Sequence, residues 1–190
     1  MSTARDQIIQ ATCELLELQG YHATGLNQII KESGSPKGSL YYYFPGGKQE
    51  LVAESVQRVG TIVLNRIRQN LAVEATADEA IRAFIVNIAV NVELSGYHAG
   101  GPITTVALEV ASTNEHLRAV CQQIYAEWQA AFSDRLVADG VGEGRARSLA
   151  LVIIAALEGG IILCRTQRSR EPLEQLAEEM ERLVKSALAA

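Results

Sequence analysis

The stretch TGLNQIIKESGSPKGSLYYYFPGGK, residues 24–48, decides the fold of this chain. Its first part carries apolar side chains three and four residues apart, at Leu26, Ile29 and Ile30. This spacing predicts a short helix with one apolar face. Gly34 follows, and glycine readily takes the left-handed conformation that ends many helices. The sequence therefore predicts a helix that stops at Gly34.

A second short helix follows that stop almost at once. Ser35 is a favoured N-cap residue and Pro36 a favoured first residue, so we expect this helix to begin at Pro36. Leu40, Tyr43 and Phe44 recur at helical spacing and are expected to form its buried face. Two short helices joined by a tight turn are typical of a helix-turn-helix unit.

The rest of the sequence also has helical periodicity, and no run with strand periodicity competes with it. A helix expected to end at Gly20 precedes the quoted stretch, and Thr76 with Glu79 has the pattern of a capping box. Residues 149–164 form a very apolar run, and the helix expected from Pro172 has heptad-like spacing. The chain is therefore predicted to be helical throughout.

We predict an all-α protein of about nine helices in two parts. Residues 1–48 form an N-terminal three-helix domain with the helix-turn-helix. Residues 49–190 form a helical bundle for ligand binding and dimerisation. The 190 residues are 48% hydrophobic, which is ample for a core, and the net charge is −5.

Several classes of protein are disfavoured by the sequence. The three cysteines lie far apart without metal-ligand spacing, so we expect reduced thiols, no metal site and no cofactor. The run 149–164 is shorter than the roughly 20 residues of a membrane span, and it contains Glu158. No GxGxxG, HExxH or GxSxG motif is present, which argues against an enzyme. We expect a cytoplasmic protein without a membrane segment.

The start of the second short helix has the residue types that a DNA-reading helix needs. Gly38 and Ser39 are small enough to let the backbone approach a duplex, and Lys37 supplies a cation. Tyr41 and Tyr42 carry phenolic hydroxyls that can donate to phosphates or base edges. A contact role for these two tyrosines is favoured over a place in the core.

This segment resembles the DNA-binding domain of the TetR family of transcriptional regulators. The resemblance rests on Ser-Gly-x-x-Lys followed by Gly-Ser-Leu-Tyr-x-Tyr-Phe, and it extends over residues 5–55. The stretch Gly-Gly-Pro-Ile-x-x-Val-Ala-Leu-Glu at residues 100–109 resembles the LmrA/YxaF-like branch. The pair Gly46-Gly47 adds one residue to the spacing between phenylalanine and lysine that most family members have.

The resemblance implies a role for individual residues on DNA. It implies that Lys37, Gly38 and Tyr42 lie closest to the bases. It also implies contacts with the DNA backbone for the following residues: Thr24, Ser39, Tyr41 and Lys48. Because one recognition helix reads only a few base pairs, we expect a homodimer on a palindromic operator in double-stranded DNA.

The C-terminal part supplies candidates for two further sites. Apolar pockets form between the helices of a bundle, and the candidate lining residues are Phe84, Ile88, Tyr97, Tyr125, Trp128 and Phe132, each of which could instead belong to an ordinary core. The apolar helix and the last helix are expected to pair with their copies in a four-helix dimer interface, formed by Leu151, Ile154, Glu158, Ile162, Leu176, Met180 and Leu183.

Together these observations predict a transcriptional regulator. The resemblance implies a repressor that a small apolar or aromatic effector releases from its operator. The alternative is a helical small-molecule-binding protein without sequence-specific DNA activity. Such a protein would explain the apolar bundle but not the first 48 residues.

Overall fold

The computed structural model describes residues 3–98 and 100–189, apart from the side chain of Pro102. Within this part of the chain the secondary structure is nine α-helices and no strand, so the all-α prediction is confirmed. The helices, in chain order, are α1 Ala4–Ala23, α2 Leu26–Ser33, α3 Lys37–Tyr43, α4 Lys48–Leu71, α5 Ala77–Leu94, α6 Pro102–Val110, α7 Glu115–Ala138, α8 Glu143–Gln167 and α9 Glu171–Leu188.

The helices form two compact units. Unit 1 contains the residues up to Thr61 together with Gly101–Ile124, and unit 2 contains Ile62–Gly100 together with the residues from Tyr125 onward. Helices α4 and α7 therefore each contribute residues to both units. This division follows packing, whereas the predicted boundary after residue 48 follows the DNA-binding motif.

Unit 1 is built around a core that α1, α2, α3 and α4 share. Helix α1 packs against α2, α3 and α6. The fully buried members of the core come from each of the four helices, and they are Ile8, Ile9, Leu15, Ile29, Leu40, Phe44 and Leu51. Burial of this many large side chains fixes the short helices α2 and α3, which are too short to be stable alone.

A polar cluster holds the start of α1 to α4. Thr3 and Asp6 form a capping box, and the guanidinium of Arg58 contacts Asp6 Oδ1 at 2.9 Å. The hydrogen bond from Thr3, followed by that from Arg58, lowers the pKa of Asp6 to about 2. The carboxylate therefore stays charged at physiological pH, and it links the first turn of α1 to α4.

The turn between α2 and α3 confirms one local prediction and corrects two others. Gly34 ends α2 in the left-handed conformation, with φ 62°. Ser35 does not cap α3, because its buried hydroxyl donates to the carbonyl of Ala4, and Pro36 is the residue before the helix. The expected burial of Tyr43 is also wrong, since 36% of its surface is exposed.

Unit 2 has its core between α5, α8 and α9, which pack against one another. Phe84 and Phe132 meet edge to face inside it, with ring centroids 5.6 Å apart. The capping box predicted at Thr76 does not form. The amide of Ala77 instead donates to Asp139 Oδ2 at 2.6 Å, so a residue distant in sequence caps α5.

Helix α8 has two apolar faces. It runs for 25 residues, and an 18-residue window within it has a mean hydropathy of 2.0. By length and composition alone, the helix could cross a membrane. One face lies in the core of unit 2, where Leu149, Ile153 and Leu157 are buried. The opposite face leaves large apolar side chains exposed, and these are Leu151, Val152, Ile162 and Leu163.

Candidate nucleic-acid interface

Helix α3 presents a continuous polar and aromatic surface. Lys37, Gly38 and Tyr41 are exposed, and a Cβ atom at position 38 would meet nothing within 4 Å. Tyr42 is 79% exposed, and its ring contacts that of Tyr43 edge to face at 5.0 Å. An aromatic side chain that is held by a neighbour yet open to solvent is well placed to contact another molecule. Among the described residues, the open space beside Gly38 leaves room for a DNA backbone to approach.

The core beneath α3 fixes the direction of that surface. Leu40 and Phe44 are fully buried and anchor the helix from below. Ser39 is half-buried at the edge of the surface, and its amide donates to the Pro36 carbonyl. The sequence predictions for Lys37, Gly38, Ser39, Tyr41 and Tyr42 thus fall on one short helix, and the structure brings these residues together.

Thr24 follows the last turn of α1 and does not lie on α3. Its side chain is fully buried, and its hydroxyl donates to the Gly20 carbonyl at 2.6 Å. The hydroxyl therefore stabilises the end of α1. The contact of Thr24 with a DNA phosphate stays a prediction.

Lys48 is bound to the protein itself. Its Nζ donates to the Tyr21 carbonyl at 2.6 Å and lies 4.2 Å from the centroid of the Tyr21 ring. Burial lowers the pKa of Lys48, an effect that the nearby carboxylate of Glu109 opposes. The pair Gly46-Gly47 lengthens the connection between Phe44 and α4. The motif alone therefore does not determine the position of Lys48.

Substitution of Lys48 separates a structural role from a phosphate contact. We expect Lys48→Met to lower the free energy of unfolding by about 1 kcal/mol, since a charge-assisted hydrogen bond at a partly exposed site is lost. The salt dependence of DNA binding is expected to stay unchanged, whereas Lys37→Met lowers its slope by about one counterion. Urea denaturation and anisotropy titrations at several salt concentrations measure both effects. A slope that falls equally in both variants would place Lys48 on phosphate.

The carboxylate of Glu109 also joins α6 to the end of α1. Glu109 Oε2 accepts a hydrogen bond from the His22 amide at 2.7 Å. Gly20 lies just before, with φ 79° and ψ −176°, so α1 is not helical at this point. A Cβ atom at position 20 would lie 2.9 Å from Glu109 Cδ, and only glycine leaves room for the carboxylate. Glu109 is not among the site residues predicted from the sequence, although it is the last residue of the stretch 100–109.

Four of the six predicted pocket residues form two separate aromatic pairs in unit 2. Phe84 and Phe132 are buried in the core. Tyr125 contacts Trp128 with ring centroids 5.4 Å apart, and its hydroxyl donates to Glu158 Oε1 at 3.2 Å. Ile88 and Tyr97 are half-buried, and Tyr97 has an unusual positive φ of 65°.

A groove of about 610 Å³ lies elsewhere in unit 2, between α7 and α8. None of the predicted pocket residues lines it. Small apolar and polar or charged residues contribute equally to its walls, which include Ala126, Ala130, Val137, Gln129, Asp134 and Arg147.

The residues predicted for the dimer interface differ in accessibility. Leu151 and Ile162 are 56% and 49% exposed on the outer face of α8. Ile154 and Met180 are 7% and 8% exposed, so their side chains pack mainly within the chain. The others are half-buried, namely Glu158, Leu176 and Leu183.

Comparison with known proteins connects this surface to a family. The domain described as "Bacterial regulatory proteins, tetR family" matches residues 8–55, and "Transcriptional regulator LmrA/YxaF-like, C-terminal domain" matches residues 77–179. This chain belongs to the TetR family. TetR-family proteins are helix-turn-helix transcriptional regulators and not enzymes. Both the predicted family and the predicted branch are confirmed.

Two relatives from Bacillus subtilis cover nearly the whole TetR-family chain. The uncharacterized HTH-type transcriptional regulator YxaF is 41% identical over 182 residues, which are 96% of this chain and 95% of the relative. The HTH-type transcriptional regulator LmrA is 38% identical and covers 90% of each chain.

Solved structures share the fold at lower sequence identity. A TetR transcriptional regulator from Legionella pneumophila is 19% identical and has a TM-score of 0.85, with 96% of this chain and 98% of that chain covered. The regulator FadR from Bacillus subtilis, solved in complex with stearoyl-CoA, is 19% identical with a TM-score of 0.72 and covers 94% of this chain and 96% of that chain.

Proposed function

We propose that this protein is a cytoplasmic repressor that binds a palindromic operator as a homodimer and leaves it when a small apolar or aromatic compound binds. The observation that carries the proposal is the exposed surface of α3, where Lys37, Gly38 and Tyr42 stand outward above the buried Leu40 and Phe44. A rigid helix with a free outer face is the feature that reads the major groove in helix-turn-helix proteins.

The residues of α3 divide by the part of DNA that each suits. Lys37 supplies a positive charge, which attracts phosphate from any sequence. Gly38 lets the duplex approach the helix closely because no side chain intervenes. Tyr42 is 79% exposed and supplies a hydroxyl and a ring face for base edges or thymine methyl groups. Affinity and sequence selectivity thus come from different side chains of α3.

The outer face of α8 supports the homodimer. Leu151 and Ile162 lie about three helical turns apart on this face, with half of each side chain in water. A contiguous apolar face of this kind commonly marks an interface. Pairing α8 with its copy about a two-fold axis buries the face and gives two recognition helices for a palindrome.

An apolar effector is supported by the composition of unit 2. Its helices contribute mainly aliphatic and aromatic side chains to the interior, and half of the residues that line the α7–α8 groove are small and apolar. FadR, which shares the fold, was solved with stearoyl-CoA, a ligand with a long apolar chain. A preference of only about 1.4 kcal/mol for the DNA-free state suffices to weaken operator binding tenfold.

Substitutions on α3 test the DNA-reading surface. We expect Lys37→Ala and Tyr42→Ala each to weaken operator binding by about tenfold, the size of one good phosphate or base contact. Both side chains are exposed, so the melting temperature should change little. Fluorescence anisotropy with labelled operator DNA measures the affinities. Lys185→Ala, which removes an exposed charge from α9, is the matched control. Unchanged operator affinity in both α3 variants would contradict the assignment of α3.

A further inference from the structure

The last turn of α1 is held by contacts from three other segments of unit 1. Glu109 of α6 accepts the His22 amide proton at 2.7 Å, and Lys48 at the start of α4 donates to the Tyr21 carbonyl at 2.6 Å. Thr24, which follows the turn, donates its hydroxyl to the Gly20 carbonyl at 2.6 Å. The Tyr21 carbonyl also accepts from the Thr24 amide at 3.3 Å. The three side-chain contacts thus add to the backbone hydrogen bonding at a break in α1, where the regular helical pattern is interrupted.

The break in α1 is shaped to admit the carboxylate of Glu109. Gly20 has φ 79°, and a Cβ atom there would come within 2.9 Å of Glu109 Cδ and 3.2 Å of Thr105 Cγ2. The side chains of Glu109 and Thr105 on α6 therefore occupy space that a side chain at position 20 would need. The two features depend on each other, since the glycine makes the space that the carboxylate fills.

The held turn leads directly into the helix-turn-helix. Only Thr24 and Gly25 separate α1 from α2, and α2 begins at Leu26. Helix α2 packs against α1, as does α3. A shift of the last turn of α1 relative to α6 would therefore move the start of α2 and, through the shared core, the exposed surface of α3.

We propose that Glu109 is a positioning residue for DNA binding, which fixes the entrance to the helix-turn-helix relative to α6 by accepting the His22 amide proton in the space beside Gly20. This inference rests on the proposed function. It gives a physical role to the stretch 100–109, where Gly101 stands before α6 and Glu109 lies near its end.

The test combines hydrogen exchange without DNA and operator binding. In Glu109→Ala the His22 amide should exchange about tenfold faster, as expected when one hydrogen bond to a charged group is lost. Operator affinity should fall by a similar factor, about tenfold, because the entrance to α2 is no longer fixed. Glu109→Gln keeps an acceptor of the same size and should restore most of both properties. Glu115→Gln, which alters an exposed carboxylate paired with Arg118 inside α7, is the charge-matched control.

Each outcome has a definite meaning. Unchanged exchange at His22 in Glu109→Ala would overturn the inference, and so would faster exchange with operator affinity equal to that of the unsubstituted protein. Loss of operator binding in Glu115→Gln as well would also overturn it, since the effect would then follow net charge. If the unsubstituted protein does not prefer operator DNA, the proposed function is overturned. The exchange experiment is done without DNA, so it does not measure that preference.

Discussion

Replacement of Ile162 by glutamate is expected to leave the protein monomeric at micromolar concentrations and to weaken operator binding by about 100-fold or more, because the two recognition helices no longer act together. Ile162 is 49% exposed on the outer face of α8, and Leu151 and Leu163 are exposed on the same helix. In a two-fold symmetric dimer this face meets its own copy. One substitution therefore places two carboxylates in an apolar contact, where each loses water without gaining a partner.

Sedimentation velocity measures the oligomeric state, and anisotropy measures operator affinity. Leu94→Glu is the matched control, since Leu94 is also a large exposed apolar residue but lies at the end of α5. We expect this control to remain dimeric with unchanged affinity. If Ile162→Glu remains a dimer, the outer face of α8 is not the interface, and the groove between α7 and α8 becomes the next surface to examine.

Replacement of Phe44 by alanine is expected to lower the free energy of unfolding by about 3–5 kcal/mol, the usual cost of removing a buried aromatic side chain. Phe44 is fully buried at the end of α3, and the guanidinium of Arg5 lies 5.8 Å from the centre of its ring. Because α3 is only seven residues long, it has little stability apart from this anchor. Operator binding should be lost at temperatures where unit 1 is no longer folded.

Urea denaturation followed by circular dichroism measures the loss of stability. Tyr43→Ala removes the neighbouring aromatic ring from a site that is partly exposed, and it should cost about 1 kcal/mol or less. The difference in the free energy of unfolding between these two variants distinguishes the buried anchor of α3 from its outer surface. Equal losses in the two variants would contradict the core described for unit 1.

Features set by short-range chemistry could be predicted from the sequence. The left-handed residue Gly34 follows from the preference of glycine for this conformation, whatever lies around it. Burial of Leu40 and Phe44 follows from helical spacing, which places both on one face. The helical fold and the family could be inferred for the same reason, since the motif that carries them is continuous in sequence.

Features set by distant partners could not be predicted in this way. Ser35 has the chemistry of a cap, but the Ala4 carbonyl is close enough to take its hydrogen bond. Thr76 likewise has the pattern of a capping box, yet Asp139 reaches the amide of Ala77 from 62 residues away. A tertiary contact of this kind competes with the local one and leaves no trace in the local pattern.

The sequence pattern also could not predict which apolar face of a helix stays accessible to another chain. The apolar run 149–164 includes Ile154, and the heptad-like spacing of the last helix includes Met180. Neither pattern distinguishes a core within one chain from an interface between two chains. Lys48 and Glu109 illustrate the same limit for charged residues, since their partners are backbone atoms of α1. A pattern of side chains in the sequence does not indicate a contact with a distant backbone group.

The central claim is that α3 reads a specific DNA sequence, and one titration tests it most directly. A labelled fragment from upstream of the protein's own gene is compared with a scrambled fragment of the same length, by fluorescence anisotropy at two salt concentrations. The account predicts tight binding to the upstream fragment, a clear preference over the scrambled one, and weaker binding at high salt. Equal and weak binding to both fragments would contradict this claim, and tight binding of an apolar ligand by the same preparation would then favour a helical ligand-binding protein without sequence-specific DNA activity.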